Sequence, residues 1–68
     1  MKLNTLMEER GMSGYALSKE SGVSYTVIKA LLRGEKKTEN LAGKTIFALS
    51  KVLGCTMEEF IKLETEKI

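Results

Sequence analysis

Apolar residues recur along this chain at helical spacing, in five stretches separated by glycines or polar residues. Leu3, Leu6, Met7 and Arg10 lie along one stripe of a segment from Lys2 to Arg10, and Gly11 ends it. The most informative pattern runs from Ser13 to Gly34. Leu17 and Ser21 stand four apart, Val23 follows a glycine, and Val27, Ile28, Leu31 and Leu32 recur at spacings of three and four, the period of a helix laid on a core. Two short helices hinged at Gly22 are implied, because a chain that stops one helix and turns into the next commonly needs a left-handed residue, which glycine adopts without steric cost. Ser13 and Ser24 are of a type that caps helix starts, so the spacing predicts a second helix over 13–21 and a third over 24–33.

After Gly34, the run GEKKTEN forms a polar connection with no periodicity, and Asn40 is expected to cap a fourth helix. In that helix Ala42, Ile46, Leu49 and Leu53 recur at four, three and four, flanked by Thr45 and Val52, and Gly54 closes it. Thr56, with Glu59 three residues on, has the spacing of a capping box and launches a last helix holding Met57, Phe60 and Ile61. Gly11, Gly22, Gly34 and Gly54 each follow an apolar helical period, whereas Gly14 and Gly43 do not. Gly14 falls in the first turn of the second helix, where it weakens the helix but lets its backbone N–H groups approach a partner closely. The expected architecture is all-α: a compact five-helix unit, a single domain over residues 1–68, with its tail (64–68, ETEKI) frayed.

Composition narrows the possibilities. Sixty-eight residues, 43% of them apolar and none proline, suit one small soluble domain with a modest core, in which well-capped helices matter. The single Cys55 excludes an internal disulfide and reads as a small apolar filler, and the absence of histidine removes the usual zinc sites, so neither metal nor cofactor is expected. No apolar run approaches the roughly 20 residues that span a bilayer, and the amino terminus lacks a signal-peptide pattern, which points to a cytoplasmic protein without a membrane partner. An enzyme is disfavoured: there is no histidine and no phosphate-binding glycine loop, and the adjacent carboxylates Glu8 and Glu9, or Glu58 and Glu59, face different sides of their helices.

The net charge of +2 says little, but its distribution says more. Residues 1–20 balance three basic against three acidic side chains, residues 21–51 carry six against two, and residues 52–68 carry two against four. Lys29, Arg33, Lys36 and Lys37 lie within nine residues, a cluster that suits either a solvated face or a polyanionic partner.

Met12 to Gly34, followed by KTIFALSKVLGCTMEEF, resembles the five-helix DNA-binding domain of the lambda repressor and Cro family over about the first 61 residues. The most specific parts are LSKESGVSYTVIKALLRG, with one glycine in the turn and another closing the next helix, and the later helix, glycine and capping box of ALSKVLGCTMEEF. The resemblance implies a helix-turn-helix over about 13–33, whose helix from Ser24 to Arg33 enters the major groove while the preceding helix crosses the backbone. With Val27, Ile28 and Leu31 inward, Tyr25, Thr26, Lys29 and Ala30 point out at the family's base-contacting positions, and Arg33 follows one turn on. Lys29 can donate to guanine O6 and N7, Thr26 and Tyr25 can each bond a phosphate or touch a thymine methyl, and Ala30 can make the same apolar contact. By family position, phosphate contacts fall to Ser13, Gly14, Ser24, Arg33, Lys36 and Lys37.

The chain departs from the family pattern where glutamine is common: Gly14, Tyr25 and Thr26 cannot give the bidentate adenine contact that glutamine gives. The implied function is sequence-specific binding of double-stranded DNA by a transcriptional repressor, acting as a homodimer on a two-fold operator. Met57, Ile61 and Leu63 are the candidates for the contact between copies. The alternative is an antitoxin or protein-interaction module that uses the same fold to bind a toxin or another regulator, and salt dependence separates the two.

Overall fold

Residues 2–64 are described by the computed structural model, and among them five α-helices follow one another: α1 (Leu3–Glu9), α2 (Gly14–Ser21), α3 (Tyr25–Leu32), α4 (Gly43–Leu53) and α5 (Met57–Ile61). Each begins or ends within a residue or two of where the apolar periods place it. Ser13 Oγ accepts the Ala16 N–H at 3.1 Å and Ser24 Oγ accepts the Thr26 N–H at 3.2 Å, so both serines take up backbone donors that a helix start leaves without a partner. The capping box also forms. Thr56 Oγ1 accepts the Glu59 N–H at 3.0 Å, and Glu59 Oε1 accepts the Thr56 N–H at 2.8 Å. The bond from the Thr56 N–H, joined by the one to its side chain, holds the Glu59 carboxyl below its ordinary pKa.

The stripes converge on one core. Leu3, Leu6 and Met7 from α1 meet Leu17 from α2, Ile28 and Leu31 from α3, Ile46, Leu49 and Leu53 from α4, and Phe60 from α5. α4 packs on both α2 and α5, and α2 packs on α3, so α3 is carried on the outside of the bundle. Val27, expected inward with Ile28 and Leu31, is half-buried at the margin of this core. Cys55 also packs against it. Burial, with Glu59 nearby adding and Arg10 opposing, pushes the Cys55 thiol above its ordinary pKa, which keeps it neutral. Arg10 Nε donates to the Leu53 carbonyl at 2.9 Å and ties the end of α1 to the end of α4.

Three expectations are corrected. Asn40 does not cap the fourth helix: the chain instead makes one 3-10 turn, Thr38–Asn40, and α4 starts after Ala42 with no side-chain cap. The connection 34–40 is not simply a polar loop, since Thr38 is buried and its hydroxyl lies 3.3 Å from the Ile61 carbonyl and 3.1 Å from the Leu63 carbonyl, both acceptors for its one proton. Nor does the tail fray from its first residue. The Glu64 carbonyl accepts the Leu3 N–H at 2.8 Å, and Lys2 and Glu64 form an isolated parallel bridge; residues 65–68 lie outside the described residues. Among the described residues no helix is long and apolar enough to cross a membrane.

Candidate nucleic-acid interface

The turn between α2 and α3 is fixed by side chains as well as by glycine. Gly22 is left-handed (φ 76°, ψ 7°), a conformation in which a Cβ would crowd the following carbonyl. Around it, Ser18 Oγ donates to the Val23 carbonyl at 2.6 Å and the Val23 N–H donates to Ser21 Oγ at 3.1 Å. The four polar groups of this tight reversal thus find partners inside it, and the start of α3 is held in one direction relative to α2. At the far end, the Gly34 N–H donates to the Leu31 carbonyl at 3.2 Å and the Glu35 N–H to the Ala30 carbonyl at 2.8 Å, a paired closure that aims the chain into the Lys36–Lys37 segment.

Between those two fixed ends α3 is two-sided. Ile28 and Leu31 are fully buried, while Tyr25, Thr26, Lys29 and Arg33 are exposed. Ala30, expected to point out with them, is half-buried, and its carbonyl is also 3.3 Å from the Lys36 N–H. Ser13, Ser24, Lys36 and Lys37 are exposed, and Lys37 stands in extended backbone just before the 3-10 turn. Among the described residues no carboxylate lies within ion-pair distance of Lys29, Arg33, Lys36 or Lys37; the pair Lys62–Glu58, 3.5 Å apart, joins α5 to the residue that follows it. The cluster of positive charge seen in the sequence is therefore not internally neutralised, and it is free to attract an anion.

The amino end of α2 sits beside α3. A Cβ built on Gly14 would lie 3.1 Å from Leu32 Cδ1 and 3.5 Å from both Ile28 Cγ2 and Tyr25 Cε1, so the missing side chain is what lets the two helices close up. Gly14 thus serves packing, and its half-burial leaves only its backbone to offer. With the Ala16 N–H taken by Ser13, the N–H groups of Gly14 and Tyr15 remain at the positive end of the helix dipole without an intrahelical acceptor.

Sequence reasoning passed over three residues here. Tyr15 is 61% exposed and meets the ring of Tyr25 edge-on, with centroids 6.2 Å apart and planes at 83°. Lys19 Nζ lies 5.4 Å from the Tyr15 ring centre, as Lys29 Nζ lies 5.6 Å from that of Tyr25. Ser18 fastens the turn. A signal for the first two was present: an aromatic residue is followed four places later by lysine at Tyr15 and Lys19, at Tyr25 and Lys29, and again at Phe47 and Lys51, where the ammonium is 5.7 Å from the ring centre.

A family model described as a Cro/C1-type HTH DNA-binding domain matches residues 2–66 of the chain. No curated protein and no solved structure gives a significant match.

Proposed function

The chain belongs to the Cro/C1-type helix-turn-helix DNA-binding family, and from that premise we propose that it is a transcriptional repressor that binds a two-fold operator as a homodimer. One observation carries the reading: the exposed ridge of Tyr25, Thr26, Lys29 and Arg33 on a short helix whose opposite side, Ile28 and Leu31, is locked into the core. Such a helix presents donors and apolar groups to base edges without unfolding anything behind it. Lys29 and Thr26 read bases, with Tyr25 beside them and Ala30 adding a small apolar contact at the helix margin. Ser13, Gly14, Ser24, Arg33, Lys36 and Lys37 hold phosphates, the first two through the amino end of α2.

Size supports the dimer. The Cα trace extends 26 Å along its longest axis and carries a single exposed α3, so a site with half-sites roughly 34 Å apart on one face of a duplex takes one copy at each. Met57 and Ile61, each 41% exposed on α5, supply apolar surface for the second copy, whereas Phe60 is fully buried and Leu63 packs against the core. That surface would equally suit a toxin or another regulator, which makes salt dependence the discriminating measurement. The reading is of a binding protein rather than an enzyme, acting in the cytoplasm.

Selection from random duplex DNA should recover a sequence with a two-fold repeat. On that duplex, Arg33, Lys36 and Lys37 from two chains should give log K against log salt a slope of about −5, from about −0.9 for each phosphate neutralised. A slope near zero, or no sequence enriched, would refute the reading.

A further inference from the structure

The side chains of Lys19, Tyr15, Tyr25 and Lys29 form a continuous ladder from α2 to α3, with ammonium, ring, ring and ammonium in order. Tyr15 is 61% exposed and is not part of the core, so its ring packs on Tyr25 at the surface. The Tyr15 and Tyr25 rings meet in the T-shaped arrangement that the aromatic quadrupole favours. Tyr25 is thereby bounded on one side by the Tyr15 ring. The amino end of α2 also lies beside it, since a Cβ built on Gly14 would be 3.5 Å from Tyr25 Cε1. Lys29 rests over the same Tyr25 ring, so the position of that ring also limits where its ammonium can go.

We propose that Tyr15 is a positioning residue for DNA reading: it contacts no base itself, but its ring fixes Tyr25 and, through Tyr25, the Lys29 ammonium at the mouth of the groove. The inference rests on the base-reading roles given above to Tyr25 and Lys29. A preset side chain loses less freedom on binding, and it discriminates better because it cannot swing to suit a wrong base. In this way a residue of the backbone-crossing helix tunes the selectivity of the helix beside it. The brace also supplies the orientation that a bare tyrosine–lysine pair, with its rotatable bonds, would lack.

The test compares the full chain with Tyr15→Leu, Tyr15→Phe and Tyr25→Ala on the duplex selected by the wild-type protein and on single-base variants of it. Tyr15→Leu is expected to lower affinity for the selected duplex by about 3- to 10-fold while leaving random-sequence binding, the salt slope and the melting temperature nearly unchanged. Tyr15→Phe keeps the ring and should behave as wild type. In Tyr15→Leu/Tyr25→Ala the first change should add almost nothing to the second. Four results overturn the brace: unchanged discrimination in Tyr15→Leu, equal loss on all sequences, a Tyr15→Phe defect as large as that of Tyr15→Leu, which would assign a direct hydroxyl contact, or additive effects in the double variant. If Tyr25→Ala and Lys29→Ala also leave sequence preference intact, the base-reading assignment itself is what has failed, and the brace falls with it.

Discussion

Substituting alanine at two glycines should move stability in opposite directions, although the added methyl group meets nothing at either. At Gly22 a Cβ finds no atom within 4 Å, but φ is +76°; at Gly43, the first residue of α4, the space is equally open and φ is not positive. Sterics with neighbours therefore drop out, and the backbone conformation alone decides. A residue with a Cβ in the left-handed region costs about 1–2 kcal/mol, offset by about 0.4–1 kcal/mol because alanine restricts the unfolded chain more than glycine does. The net for Gly22→Ala is a loss of about 1 kcal/mol, which in a domain of this size lowers the melting temperature by about 4–8 °C. Gly43→Ala keeps only the favourable part and should gain about 0.5 kcal/mol, or about 2–4 °C. Gly22→Asn should fall between wild type and Gly22→Ala, since asparagine tolerates the left-handed region. Thermal melts followed by far-ultraviolet circular dichroism, with urea titrations to check an unchanged m value, read all three. If Gly22→Ala melts at or above the wild-type temperature, the turn does not need its left-handed residue, and the account of how α3 is aimed is wrong.

Lys29→Ala should cost about 1–3 kcal/mol on the selected duplex and flatten sequence preference, whereas Lys36→Ala with Lys37→Ala should weaken binding to every duplex and reduce the salt slope by about two per chain; titrations by fluorescence anisotropy at several salt concentrations separate the two. Thr38→Val keeps the shape of a buried side chain but deletes the donor to the Ile61 and Leu63 carbonyls, so urea unfolding should show a loss of about 1–2 kcal/mol, and no loss would mean the hydroxyl is not what ties the loop to the end of α5. Glu59 has its carboxyl pKa depressed by the capping box, so its contribution is present above the ordinary carboxylate range and disappears as pH falls through the lowered folded-state value; Glu59→Gln, whose amide oxygen can still accept from Thr56, should flatten the fall in melting temperature between pH 7 and pH 3, and an unchanged profile would refute this.

The helices were legible because each core residue sits on a stripe of its own helix. Leu17, Ile28, Leu31, Leu49 and Leu53 are all fully buried where their spacing puts them, and the caps at Ser13, Ser24 and Thr56 depend only on residues two or three places away. Contacts between distant segments were not legible. Thr38 bonds to carbonyls more than twenty residues on, through the backbone, and no residue type at 61 or 63 announces that. Tyr15 and Tyr25 meet only because the turn folds one helix beside the other. Gly14 read as a local weakness, and its actual service, room for Leu32, lies across that same turn. Asn40 has a good capping side chain, yet the 3-10 turn uses that position and leaves Ala42 to open α4.

The parallel bridge between Lys2 and Glu64 has an architectural consequence for anything joined to this domain. The chain passes through Lys2 and Glu64 in the same direction, side by side. A circular permutant therefore cannot be closed by a tight hairpin: parallel neighbours need a crossover of about a dozen residues or more.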